Sequence, residues 1–151
     1  MPTPLITLLI AVLGYLAVLA SPAFAVGSDE SSSAASSGYA EAKAMVDAGN
    51  YPAAMHALLA VTSEDRRNAD AWNLLGFTHR KLGQMDESAA AYLVVLSINP
   101  DHLGALEYQG ELFLQTGHPD LARANLTKLQ GLCGTCEEAE DLAQAIQAAG
   151  V

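Results

Sequence analysis

Three glycines, Gly49, Gly83 and Gly117, stand 34 residues apart, and the residues around them keep the same phase. Ala54, Ser88 and Ala122 form one matching set, Leu58, Tyr92 and Leu126 another, and Gly76 is matched by Gly110. A period of this length, held at several positions at once, is the mark of a repeat array. Each unit of such an array is one supersecondary element that cannot hide its apolar side alone, so neighbours must stack against it. The units fall at about 35–68, 69–102 and 103–136. A stacked array presents an extended surface rather than one enclosed catalytic pocket.

Local chemistry makes both halves of a unit helical. In the middle unit Trp72, Leu75, His79 and Leu82 recur at spacings of three and four, which is one helical face; Met85, Ala89, Tyr92 and Leu96 do the same in the second half. Gly83 can take positive φ and end the first helix. Pro100 disfavours helical geometry at Asn99 and ends the second. Pro52 and Pro119 each suit the first turn of a helix, where a missing N–H costs little. The Asp101 side chain is expected to cap the helix that follows it. These signals predict helices over 38–48, 52–62, 70–82, 85–98, 102–116 and 119–131. A seventh is predicted over 137–148, with a narrow apolar stripe of Ala139, Leu142, Ala145 and Ile146. Glu137, Glu138, Glu140 and Asp141 crowd its start, where acidic groups favour the helix dipole. Segment 137–149 reads as the solubilising cap of the array, and its acidic end as a solvated face.

The middle unit also carries Trp72-x2-Leu75-Gly76-x2-His79, then Ser88-x3-Tyr92, then Pro100. That pattern resembles the signature of the tetratricopeptide repeat (TPR), a 34-residue helix–turn–helix. The resemblance covers about residues 35–132. It implies an all-α fold, a solenoid of three helix hairpins over 38–132 followed by the capping helix. It departs from the signature at Gly38 and Leu106, which replace the tryptophan, and at Arg66 and Gly134, which replace the proline. Terminal repeats are commonly atypical in this way. The resemblance further implies a concave groove lined by the first helix of each unit. By position the first unit contributes Tyr39, Lys43, Val46 and Asp47, the second Asp70, Asn73, Phe77, Arg80 and Lys81, and the third Glu107, Glu111, Leu114 and Gln115. The expected contact set is Tyr39, Lys43, Asn73, Phe77, Arg80, Glu107 and Glu111. There Asn73 has both a donor and an acceptor for a peptide backbone, Tyr39 and Phe77 offer rigid aromatic area, and Arg80 can hold a carboxylate bidentately. The strip is positive towards the middle and negative towards the C-terminal end, which suits a peptide with a basic segment and a carboxylate end.

The first 25 residues contain no charged side chain. An apolar run over 5–20, a Ser21-Pro22 break and Ala23-Phe24-Ala25 read as a secretory signal over 1–25, cut before Val26. An uncleaved membrane anchor is the alternative, although no Lys or Arg precedes the run. Residues 26–37 are serine-rich and read as a flexible linker. The formal charge of −10 belongs wholly to the part beyond the signal. A chain so acidic repels phosphate backbones and anionic lipid, which argues against nucleic acid as a partner and leaves the N-terminal segment as the membrane contact.

Cys133-Gly134-Thr135-Cys136 joins the last repeat to the cap. Export makes a disulfide the default, fixing the angle at which the cap leaves the array. A thiol–disulfide redox pair is the sharper alternative, opposed by Glu137 and Glu138 beside Cys136 and by the lack of a βαβ pattern. Haem attachment would need a histidine at 137, and zinc a second ligand pair. His56, His79, His102 and His118 are scattered, and His79 reads as a packed, hydrogen-bonded core residue. No catalytic motif, metal site or cofactor is expected. The leading expectation is a non-enzymatic, periplasmic adaptor that binds a peptide or helix of another protein. Two alternatives stand beside it: a thiol-using helper in cytochrome or envelope-protein maturation, and a structural array that self-associates.

Overall fold

A computed structural model describes residues 29–151, with side chains from residue 37 onward. The predicted signal or anchor and the start of the linker lie outside the described residues. Among the described residues there are seven helices and no strand: α1 (Asp29–Asp47), α2 (Tyr51–Glu64), α3 (Ala69–Lys81), α4 (Met85–Ile98), α5 (Leu103–Gln115), α6 (Pro119–Cys133) and α7 (Glu137–Ala148). None of them is long and apolar enough to cross a membrane. The helix starts of α3, α5 and α7 repeat every 34 residues. The fold is the all-α solenoid of helical hairpins that the period demands.

Helix α1 begins at Asp29, not at residue 38, so most of the serine-rich stretch assigned to a linker is helical. Residues 29–37 contain no glycine or proline, and their serines and alanines tolerate helical geometry.

Two layers follow from which helices touch. The first helices α1, α3, α5 and α7 touch in succession, while the second helices α2, α4 and α6 pack on first helices and not on each other. Helices that approach on one side and splay on the other make a curved wall, with the first helices on its inner surface.

Close approach inside the middle hairpin depends on Gly76. A Cβ there would stand 2.7 Å from the Tyr92 ring, which is fully buried. Ser88 Oγ donates to the Gly76 carbonyl at 2.8 Å, tying α4 to α3 at the same level. Gly83 has φ 77°, and the Gln84 N–H returns to the His79 carbonyl at 2.9 Å, so the chain reverses over that one residue. His79 is buried, with Nδ1 2.6 Å from Gln84 Oε1, as its place in the repeat predicted.

Helix N-termini correct one expectation. Asn68 Oδ1 accepts from the Ala71 N–H at 2.9 Å, and one period later His102 Nδ1 accepts from the Ala105 N–H at 3.1 Å. Asp101 is not the cap. Because α5 starts at Leu103, Asp101 lies one residue too early, and it pairs with Lys128 Nζ at 3.1 Å instead.

Candidate functional site

An aromatic run crosses three units, with Phe77 and Tyr108 on the inner helices α3 and α5 and Tyr51 at the start of α2. The rings of Tyr51 and Phe77 meet edge-on at 6.2 Å, and Phe77 and Tyr108 lie 5.0 Å apart. Repeat register brings Phe77 and Tyr108 together from adjacent inner helices. Lys81 Nζ stands 5.1 Å from the Phe77 centroid, and Arg80 Cζ stands 5.5 Å from Phe77 and 6.0 Å from Tyr108. A cation over a ring is held by the ring quadrupole as well as by its ion pairs.

Arg80 is not the free ligand clamp that the sequence suggested. It is buried, 5% exposed, and its Nη2 forms an ion pair with Glu111 Oε2 of the next unit. A guanidinium between two rings and a carboxylate is a strap between repeats. Its Nε is buried and has no hydrogen-bond partner.

Val46 also leaves the expected groove set, because it is buried in the first core cluster with Leu58 and Leu75. Tyr39 packs half-buried against that cluster, and its hydroxyl pKa is raised by burial and then by Asp70. Lys43 is exposed and pairs with Asp47 at 2.8 Å within one helix face, which raises its pKa. Asp70 is 3.0 Å from His102 Nε2; since His102 Nδ1 accepts the cap bond, Nε2 carries the proton and donates. Asn73 is half-buried, and its Oδ1 is buried with no hydrogen-bond partner.

The C-terminal end of the wall is acidic. Glu107 is only 7% exposed. Burial, then Glu111, Asp141 and Glu138, push its carboxyl up to about 8, against the opposing pull of Arg80. Tyr108 beside it is pushed up to about 12, by burial first and then by Glu107 and Glu111. Sequence reasoning missed Tyr51 and Tyr108, and it gave the acidic groups of α7 to solvent. One signal could have found two of them. Carrying the 34-residue register one unit further makes Asp141 the counterpart of Glu107 and Glu138 that of Gly104. Helix α7 thus takes the place of the first helix of a fourth unit, docked by Ala139, Leu142 and Ile146. Its Ala145 and Ala148 line, with Arg80, Glu111 and Leu114, a concavity of about 490 Å³.

Cys133 and Cys136 are joined in the structure, with their Cα atoms 5.6 Å apart, at the corner between α6 and α7. No three or more His, Cys, Asp or Glu side chains among the described residues are placed to hold a metal ion.

Comparison with known proteins agrees with the fold. The family model described as "Tetratricopeptide repeat" matches residues 39–102. Residues 39–102 are thus similar to tetratricopeptide repeats, and the helix hairpins of the described residues agree with that likeness. No curated protein sequence matches it. Among solved structures it is similar to the type III secretion translocator chaperone SycD of Yersinia enterocolitica, at TM-score 0.70 and 20% identity over 78% of this chain and 90% of that one. SycD in complex with a peptide of the translocator YopD gives TM-score 0.68 and 20% identity over 83% and 92% of the two chains. The first TPR of Spaghetti (RPAP3), bound to the HSP90 peptide SRMEEVD, gives TM-score 0.68 and 14% identity over 78% and 94%. At these identities the likeness concerns the fold.

Proposed function

We propose that this protein is a non-enzymatic adaptor that binds a peptide or helical segment of another protein along its inner wall. The observation that carries the reading is the aromatic run Tyr51–Phe77–Tyr108 beside the unpartnered Asn73 Oδ1. Rigid rings supply contact area at low entropy cost, and the half-buried Asn73, one turn before Phe77 on α3, carries both a donor and an acceptor for a peptide backbone. Structures of similar fold were determined with peptides bound, among them SycD with a YopD peptide and the RPAP3 TPR with an HSP90 peptide. Tyr39, Lys43 and Asn73 with Phe77 form the N-terminal half of the proposed contact surface, and Glu107 and Glu111 the C-terminal half.

The proposed setting is the cell envelope, on the strength of the apolar run and the Ala23-Phe24-Ala25 site. There Cys133–Cys136 acts as a structural clamp on α7 rather than as a redox pair.

A photo-crosslinker at Phe77 of the full chain, in the cells that make it, tests the groove. The expected result is a discrete crosslinked protein, absent when Asn73→Ala is added. Crosslinks unaffected by that change, or seen equally from an outer-face position such as Leu93, would dismiss the inner wall as the binding surface. Light scattering over a concentration range decides the self-assembling alternative, which requires a mass that rises with concentration.

A further inference from the structure

We infer that the outer face of α2 and α4 is an interface for a second copy of this chain, which docks by a two-fold contact through Leu93 and the trough beside it.

The face is apolar where the fold does not require it. Leu59 of α2 and Leu93 of α4 hold the same repeat position and are 45% and 65% exposed. From Tyr51 to Ser63, and again from Ser88 to Ile98, these helices contain no Asp, Glu, Lys or Arg. In the third unit the outer face turns polar, with Thr127 in place of the leucine and Lys128 in place of Val94. An exposed apolar patch that one unit of the same fold does without marks a contact surface. Because α2 and α4 do not touch each other, a trough of about 470 Å³ opens beside them. Leu59, Thr62, Trp72 and Val94 line it, and so does Arg66 from beyond the end of α2. Trp72 Nε1 donates to the Arg66 carbonyl at 3.1 Å, which holds that backbone beside the trough.

Three features select a second copy as the occupant. Leu93 is the most exposed of the large apolar side chains described, and it is next in sequence to Val94 of the trough. Knob and hole thus lie side by side. A two-fold axis in the plane of contact, oblique to the helices, seats Leu93 of each copy in the trough of the other, and the contact closes at two chains. Charge follows the same symmetry. Arg66, in the position that Pro100 holds one unit later, forms no ion pair among the described residues, and neither do Asp86 and Glu87, exposed in the first turn of α4. Arg66 lies seven residues beyond Leu59 and Asp86 seven residues before Leu93, at diagonally opposite corners of the face. The same rotation therefore carries Arg66 of each copy towards Asp86 and Glu87 of the other. Finally, two chains of formal charge −10 repel one another, and the uncharged middle of this face is where they approach at least cost.

Light scattering of the protein as recovered from the cells that make it, over a concentration range, reads the interface. The mass is expected to rise to that of two chains and stop, whereas end-to-end stacking would carry it further and overturn the two-fold contact. Leu93→Glu should give a single chain throughout, with an unchanged circular dichroism spectrum because the side chain is exposed. Arg66→Glu should weaken the dimer by about tenfold or more, since it sets like charges together. Adding Asp86→Lys and Glu87→Lys to that variant should restore the dimer, which loss of a merely structural arginine would not allow. A single chain at every concentration, or a dimer indifferent to Leu93→Glu, would overturn the interface. Anionic vesicles that bind the parent but not Leu93→Glu, both being single chains, would give the face to a membrane instead. A photo-crosslinker at Leu93 should join two copies of the chain; capture of a different protein alone would also overturn the inference. The inner wall is read separately, since the Phe77 crosslink should persist in Leu93→Glu.

Discussion

Glu107→Gln separates the proton held at the acidic wall from everything else in the array. In the unfolded chain this carboxyl titrates near 4.5, and in the folded protein burial and three acidic neighbours push it up to about 8. Between those values the folded protein binds more protons than the unfolded chain, so stability falls as pH rises. The penalty is absent below the unfolded value and complete above the folded one. A displacement of about 3.5 units, at ~1.36 kcal/mol each, sets a ceiling of about 5 kcal/mol. Asp141 is exposed and Glu138 half-buried, so water screens part of their repulsion, and about 2–3 kcal/mol is the working figure. Glutamine keeps the shape and removes the charge. Urea unfolding followed by circular dichroism should give similar stabilities for parent and variant at about pH 5, and a variant more stable by about 2–3 kcal/mol at about pH 8.5. Parallel curves, with no divergence across that window, would show an ordinary solvated carboxylate at residue 107. The account of the acidic wall would then fail with it.

Gly76→Ala should destabilise, although alanine is the better helix former by about 1 kcal/mol, because the new Cβ meets a fully buried Tyr92 ring at 2.7 Å. A net loss of about 1–3 kcal/mol is expected from overpacking of this kind, read as a drop in Tm. His102→Ala should cost about 1 kcal/mol in urea unfolding through loss of the α5 cap, whereas Asp101→Ala should cost well under that. Replacing both Cys133 and Cys136 by serine should loosen α7 before the rest of the array. Hydrogen exchange would show it as faster amides over Glu137–Ala148 with the amides of α3 unchanged.

What the sequence made legible was whatever the 34-residue period touches. Helix hairpins, glycine turns and the buried His79 all follow from register, because a repeat puts equivalent residues in equivalent surroundings. The start of α1 was not legible. Serine-rich composition is shared by linkers and by solvated helical turns, and no stop signal lies between 29 and 37 to separate them. The cap at His102 was hidden by a shift of one residue in the start of α5, and Asp101 is by type the better cap. Val46 was misplaced because a groove position on a terminal helix points into the first core cluster as easily as into the groove.

Charge was the hardest quantity to read, since it depends on pairing that runs between units. Counted along the chain, Arg80 and Lys81 make the middle of the wall basic and Glu107 and Glu111 make its end acidic. In the structure Arg80 spends its charge on Glu111, one unit away, and Lys81 stands over the Phe77 ring. The positive centre thereby shrinks to Lys81, while α7 adds Glu138 and Asp141 to the far end. A helix that ends a solenoid needs a polar outer face, and acidic residues meet that need on whichever side they fall. In α7 they serve two ends: the half-buried Glu138 and the exposed Asp141 act on Glu107, whereas Glu137 and Glu140 are not among the groups that do. The same helix therefore closes the array and builds the last wall of its groove. The pair that acts on Glu107 is separable from the solubilising role by substitution: Glu138→Gln with Asp141→Asn should lower the Glu107 pKa towards the ordinary carboxylate range, and Glu137→Gln with Glu140→Gln should leave it where it is.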